Sequence, residues 1–496
     1  MKRLVHGMAL APLVLINACA LQPEYKRPAL DISPSWSNGL NAPSASIPVA
    51  RDGWWTLLGD PALDVLVTAG LRDNPTLAEA AARVDQARAA LDVGNARRLP
   101  NLAVNANAAL SRDRAGSGAS TAGQTSTGVG ASLSWELDLW GRVRESKNAA
   151  QHRLLASTAD ADAARLSIIG EIADTALALR ACNLTLEIRD RDIASRQAEL
   201  TITRARLAFG NVAPVVVATV SSNLASAQTD RITQLETCQR LVNAQVALSG
   251  LEASAIRQLF PQNASATSPA AAGEADVDTQ MPEPPAFAPA LPATVLLGHP
   301  MVIAAEREVA ARWSEIGVAR ADQLPRIDLT AVLTQQWIRA AGTTASYLGR
   351  SAEAGLTAPL FDGGAGAANV RGAQARYREA LARLDFTVRA AVRNIEDALA
   401  AQQSAVGRKE TSAEALRSAQ FTLNANVARL RVGAIAQLEL EESRRQFNRA
   451  QENAIAAAAD GARAWVALVR QTGAPWDAIS TVPSASVKLS EGGGQP

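Results

Sequence analysis

The sequence is poor in the residues that most often carry chemistry. Its three histidines, His6, His152 and His299, stand far apart and lack the spacing of metal ligands. There is no cluster that reads as a nucleophile with its base or as a general acid–base pair, so neither an enzyme, a metal nor a cofactor is expected. Charge of one sign is also lacking. Lys and Arg number 49 against 48 Asp and Glu, a net charge of +1. No nucleic-acid partner is expected on that balance. Aromatic residues make up only 4% of the 496 positions, while alanine is abundant. That composition suits long helices packed closely together and suits a thick mixed core poorly. Apolar runs of the roughly 20 residues needed for a membrane helix are missing throughout. If the mature chain crosses a membrane, it does so with strands.

The first residues form an export signal over 1–18. Lys2 and Arg3 are followed by a mostly apolar stretch that ends at Ala18, just before Cys19. Ile16-Asn17-Ala18-Cys19 resembles the bacterial lipobox, in which the cysteine becomes a lipid-bearing, palmitoylated N-terminus. An ordinary signal peptide with a chance cysteine is the competing reading. Ala20, where lipoproteins kept at the inner membrane tend to carry Asp, favours the outer membrane. Residues 19–61 are then a lipidated N-terminal segment.

The rest of the chain is a duplication. Asn74-Pro75 recurs as His299-Pro300 and Leu99-Pro100 as Leu324-Pro325, both 225 residues on. Ala205-Arg206-Leu207 recurs as Ala428-Arg429-Leu430, and Gly210 as Gly433, both 223 residues on. A near-constant offset over so long a span marks two copies of one unit. The expected bounds are 62–253 and 290–475, with an irregular Pro-, Ala- and Ser-rich connector at 254–289 and a disordered tail at 476–496.

Each copy has the same order. A helical segment comes first, 62–97 or 290–322, and stops at Leu-Pro. A β-hairpin follows, 101–139 or 326–361. Leu102, Val104, Ala106, Ala108 and Leu110 alternate with small or polar residues, as do Val129, Ala131, Leu133, Trp135 and Leu137. Ile327, Leu329, Ala331 and Leu333, then Ala352, Ala354, Leu356 and Ala358, repeat the pattern. Period two over about ten residues fits a membrane strand, apolar toward lipid and polar toward a lumen. Outer loops are expected at 111–127 and 336–350. Trp135, Trp140 and Phe361 are expected at the inner interface, and Trp337 and Tyr347 at the outer one. A soluble hairpin with one buried face is the competing reading.

A long helical hairpin closes each copy. Helix runs from Gly141 to about Leu207 and returns to about 253; the second copy goes down over 365–431 and back over 437–471. Cys182 and Cys238 sit at nearly equal distances from the first turn, so a disulfide is expected in an oxidising compartment, against two separate buried thiols. One chain supplies four strands, too few to close a barrel. Two chains would give eight strands and three would give twelve, and counting does not choose between them.

The motifs resemble those of the TolC-like outer-membrane efflux proteins, in the lipoprotein branch that pairs with resistance–nodulation–division pumps. Cys19-x-x-x-Pro23-x-Tyr25-x-x-Pro28 is similar to that branch's mature N-terminus. Trp54-Trp55 with Gly59-Asp60-Pro61 resembles its next motif. Trp135-Glu136-Leu137-Asp138-Leu139-Trp140-Gly141-Arg142 and Pro359-Leu360-Phe361-Asp362-Gly363-Gly364 resemble its two strand-to-helix junctions. The resemblance implies an internally duplicated homotrimer, with a 12-stranded β-barrel continuous with an α-helical periplasmic tunnel. It implies an exit duct for small toxic compounds or drugs, working with a periplasmic adaptor and an inner-membrane pump. A duct for type I protein secretion and a non-pore lipid-anchored coiled-coil scaffold are the alternatives.

Two places are expected to carry function. The turns Arg206-Leu207-x-x-Gly210 and Arg429-Leu430-x-x-Gly433 look like adaptor-contacting tips, against plain helix capping. Glu439 and Glu442 lie three residues apart on one helix face, and a trimer would bring six such carboxylates into a ring at the closed end, against a solvated helix face. Ile435 stands where parts of the family have a polar or basic latch residue. Only the first copy has the cysteine pair and only the second has the acids, so rigidity is expected in the first hairpin and movement in the second.

Overall fold

The computed structural model describes residues 23–30, 32–38, 53–113, 122–261, 281–285, 292–340 and 342–473. Cys19, the export signal 1–18 and the tail 476–496 lie outside the described residues. After a 3-10 turn, Trp54–Leu58, come α1 (Pro61–Asp73), α2 (Pro75–Ala96), β1 (Asn101–Asp113), β2 (Ala122–Leu137), α3 (Arg142–Ala208), α4 (Pro214–Ser249) and α5 (Ala253–Leu259). The second copy follows as α6 (Pro292–Gly298), α7 (Pro300–Ala321), β3 (Arg326–Ala340), β4 (Thr343–Thr357), α8 (Ala365–Arg431) and α9 (Gln437–Gln471). No described helix is long and apolar enough to cross a membrane.

Two expectations about element bounds need correction. The leading helical segment of each copy is two helices, broken at Asn74-Pro75 and at His299-Pro300. Proline disfavours the helical region for the residue before it, and Asn74 is extended at ψ 123. Its carboxamide then accepts from Thr76 N at 2.9 Å and so starts α2. The stretch 254–289 also begins as helix, since α5 runs to Leu259.

The chain divides into two compact units. The first comprises the residues up to Asp31, Glu79–Ala161 and Met301–Val388, and it holds all four strands. They form one antiparallel sheet in the order β1-β2-β3-β4. The register keeps the two faces apart across the whole sheet. Leu102 pairs with Leu133, Leu133 with Ala331 and Ala331 with Ala352. One residue along, Ala103, Ser132, Val332 and Ser351 form a row on the opposite face. A slip of one residue would mix the faces. Leu102, Val104, Leu110, Val129, Leu333, Trp337, Leu348 and Leu356 are all exposed. By the register all eight lie on the same face. Among the described residues nothing covers that face, which argues against a soluble hairpin with one buried side.

The expected loops 111–127 and 336–350 are in large part strand. Pairing continues to Asp113↔Ala122, and the second hairpin turns only between Ala340 and Thr343. Ser, Thr, Gln and Gly at these ends look like loop by composition, yet their backbones complete the ladder. The outer aromatic pair also separates. Trp337 is on the apolar face, whereas Tyr347 pairs with Gln336 on the polar face and donates its hydroxyl to Gln336 Oε1 at 2.6 Å.

The strand-to-helix junctions of the two copies share one device. The Asp138 carboxylate accepts from Val143 N at 2.9 Å and Arg144 N at 2.8 Å, capping α3. Asp362 accepts from Gly364 N at 2.8 Å and Gly366 N at 2.6 Å, capping α8. A carboxylate on the first amides of a 67-residue helix satisfies orphan donors and complements the helix dipole.

The second unit comprises Ile32–Ala78, Asp162–Pro300 and the residues from Arg389 on. Its core joins Trp54, Leu63, Leu66 and Val67 to Ile169, Ile172 and Leu177 of α3 and to Trp465, Val466 and Val469 of α9. The Trp54 and Trp465 rings lie 5.9 Å apart, centroid to centroid. Asp60 caps α1 through Ala62 N at 3.0 Å and pairs with Arg180 at 2.7 Å. Trp54-Trp55 and Gly59-Asp60-Pro61 are thus a core plug and a helix start.

Candidate functional site

The two tips have the same backbone design. At the first, Gly210 N donates to Leu207 O at 2.8 Å and Asn211 N to Arg206 O at 2.8 Å. At the second, Gly433 N donates to Leu430 O at 2.9 Å and Ala434 N to Arg429 O at 2.8 Å. This is the Schellman pattern, which satisfies the last carbonyls of a helix and needs a left-handed residue. Gly210 has φ 73° and Gly433 φ 68°. A Cβ at either glycine would meet nothing within 4 Å. The requirement is therefore conformational alone. Gly433→Ala is expected to cost the turn about 1–2 kcal/mol. Faster hydrogen exchange confined to the amides around 430–437 checks this.

Arg206 and Arg429 are exposed, and Leu207 and Leu430 are half-buried. Phe209 and Val432, just before the glycines, are 81% and 78% exposed. The duplication offset pairs these two positions, a signal that the reading of the sequence passed over.

The acids beside the second tip have separate fates. Glu439 and Glu442 are exposed, as residues on a solvent-facing stripe are. Glu439 lies 3.9 Å from Arg429 across the turn. Glu442 accepts from Arg445 at 2.6 Å and from Gln446 at 3.3 Å. Partial burial pushes its pKa up, but the hydrogen bonds and charge of Arg445 outweigh this and hold it below the usual carboxylate range. The contact with Arg445 is therefore fully present above the ordinary glutamate pKa and is lost as pH falls through the depressed value.

Glu441, between them, is fully buried. It accepts from Ser195 Oγ at 2.5 Å, Gln437 Nε2 at 2.8 Å and Arg444 Nη1 at 2.8 Å. Its position was legible: Glu441, Asn448, Ile455, Ala462 and Val469 recur every seven residues, and all are buried. Arg445, one turn on, donates to Glu199 at 2.7 Å. Further along, Arg191 donates to Gln451 at 3.3 Å and Arg463 to Asp174 at 2.8 Å. Helix α9 thus lies antiparallel to α3 and is tied to it by polar bonds along its length. The expectation that the second hairpin is the freer one meets this restraint.

Cys182 and Cys238 are bridged, with Cα atoms 5.6 Å apart. The bridge joins α3 to α4 within the core. Ile435 is buried at the second tip and offers no polar latch.

A family model described as "outer membrane efflux protein" matches residues 66–251 and 291–474. The pyoverdine export outer membrane protein OpmQ of Pseudomonas putida is 29% identical, over 96% of this chain and 99% of its own. Outer membrane protein OprJ of Pseudomonas aeruginosa is also 29% identical, over 95% of each. The open-state crystal structure of the Neisseria gonorrhoeae outer membrane channel MtrE superposes with a TM-score of 0.74 at 25% identity. It covers 94% of this chain and 100% of that one.

Proposed function

This chain belongs to the outer membrane efflux protein family, and on that premise we propose that it is the exit duct of a tripartite pump for small toxic compounds. It is an outer-membrane transport protein with the fold of the trimeric TolC-like channels, a β-barrel and a helical tunnel. The chain works as a homotrimer in which 12 strands close the barrel. It docks a periplasmic adaptor through Arg206, Leu207, Gly210, Arg429, Leu430 and Gly433, in line with a resistance–nodulation–division pump. Glu439 and Glu442 ring the closed end, and Cys19 carries the lipid.

The sheet supports this reading most. β1 and β4 are its edges, each with a row of backbone groups that pairs with no described strand. In lipid each unpaired group costs several kcal/mol, so the edges must meet those of further copies. The uncovered apolar face gives such a closed sheet its lipid-facing side. Support for the anchor is that Pro23, four residues beyond Cys19, is held through its carbonyl by Trp313 Nε1 at 3.0 Å. OpmQ, a relative over nearly its whole length, is an exporter of pyoverdine, which favours small-molecule cargo over protein.

A cell lacking this chain, but retaining its pump, is expected to accumulate a fluorescent efflux dye several-fold over wild type. Restoring the chain should return accumulation to baseline. Equal accumulation with and without the chain, for every compound the pump binds, would overturn the efflux role.

A further inference from the structure

The register sorts the charges of the sheet by sign. Asp113, Glu136, Arg326, Asp328 and Glu353 lie on the polar face. Arg326 there is paired with Asp328 at 2.8 Å. Arg112, Arg339 and Arg350 lie on the apolar face, and no acid of the four strands shares it. Arg339 and Arg350 are exposed, and among the described residues neither forms an ion pair.

Trp337 sets the depth of these cations. A tryptophan on a lipid-facing strand settles at headgroup level. Arg339 lies two residues further out, toward the turn between Ala340 and Thr343. With ~3.3 Å per residue and a tilt of ~40°, its Cα stands about 5 Å beyond Trp337. Thr125 and Thr344 pair with Arg339 on either side, and both are exposed. That places a cation between two hydroxyls at the level of lipid phosphates. The long helices leave the sheet at its other end, so the turn end is the outer one.

Arg350 pairs with Leu333, four residues inward of Trp337. By the same geometry its Cα is about 10 Å deeper than Trp337. A guanidinium at that depth is costly unless its long stem carries it up to an anion. β4 is an edge of the sheet, so in a closed barrel it meets β1 of a second copy. The apolar face of β1 holds Leu102, Val104, Ala106, Ala108, Leu110 and Arg112, with no carboxylate among them. The seam between copies therefore offers Arg350 no strand residue that neutralises it.

We propose that the outer end of the apolar face binds the phosphate groups of an anionic glycolipid of the outer leaflet. Arg339 takes one phosphate directly, in the forked geometry a guanidinium offers. Arg350 reaches up along the seam between copies to a second. The inference rests on the reading of this sheet as part of a lipid-facing barrel.

The test uses the full-length protein in phosphatidylcholine nanodiscs. These are doped in turn with bisphosphorylated lipid A, the same lipid dephosphorylated, or phosphatidylglycerol. Lipids retained by the released oligomer are counted by native mass spectrometry. Wild type is expected to retain the phosphorylated glycolipid several-fold over both other probes, a comparison that needs no variant. Arg339→Gln and Arg350→Gln are each expected to lower that retention about five-fold. Arg326→Gln, on the polar face, should leave it unchanged, and an equal loss there counts against the site. Quenching of Trp337 by brominated acyl chains, taken as the difference from Trp337→Phe, reports separately whether the face lies in lipid. Quenching with equal retention of the two glycolipids, or with retention unmoved by both apolar-face variants, overturns the site and leaves the barrel standing. Equal retention of phosphatidylglycerol overturns the assignment to a glycolipid. Absence of quenching overturns the barrel reading and the site with it.

Discussion

Replacing Arg445 by leucine is expected to loosen the tip end of α9 from α3 and to raise the conductance of the resting channel several-fold. Arg445 is 10% exposed in its side chain and Glu199 13%, and their nitrogen and oxygen are 2.7 Å apart. The leucine would leave Glu199 half-buried without its cation and would free Glu442 from its partner. Removing one member of a buried pair costs about 3–5 kcal/mol, because the other charge is stranded. The loss falls on one end of a helix that Arg191 and Asp174 still hold elsewhere. Local opening rather than unfolding follows. Hydrogen exchange should rise in 437–449 and 195–203 and stay unchanged around Trp465. Arg445→Lys keeps the charge but loses the fork geometry, and an intermediate conductance is expected from it.

The second large effect concerns the first hairpin. The bridge between Cys182 and Cys238 closes a loop of 56 residues. A loop of that length restricts the unfolded chain by about 4 kcal/mol in the chain-entropy view. The double variant Cys182→Ser/Cys238→Ser is expected to unfold its hairpin at clearly lower denaturant, with the barrel's transition unmoved. A single transition for a chain with two compact units is not assumed, so separate probes on α4 and on the sheet are needed. A wild-type sample reduced while unfolded and refolded under reductant should behave as the double variant. Coincident midpoints for wild type and double variant would count against a stabilising bridge.

Much of this architecture was readable because its signals are periodic. Period-two alternation marked each of the four strands, and the long helices end at 208 and 431 and the last one starts at 437, within a residue of the bounds read from the sequence. The duplication offset of 223 residues relates both tips. Strand ends were hidden because pairing there uses backbone groups, which composition does not report; Gly123 and Thr344 lie in the ladder although they read as loop. Tyr347 was misplaced for the same reason, since only register says which face a residue takes.

The functional end was half legible. Glu439 and Glu442 stood out as exposed acids with apolar or neutral counterparts in the first copy. Glu441, between them, is buried instead. Its burial depends on Ser195, 246 residues earlier, and no local pattern announces that partner. The seven-residue stripe through Asn448 and Ile455 gave the only warning. Arg445 was hidden likewise, because its partner Glu199 belongs to the other copy.

An exit duct must make a pore. Purified full-length protein, reconstituted in planar bilayers, is expected to give discrete, cation-preferring conductance steps that are small at rest. Neutralising the acids by Glu439→Gln with Glu442→Gln should weaken the cation preference, read as a shift of reversal potential toward zero in a salt gradient. Absence of any conductance from the folded oligomer, both in wild type and in the Glu439→Gln/Glu442→Gln variant, would contradict the account.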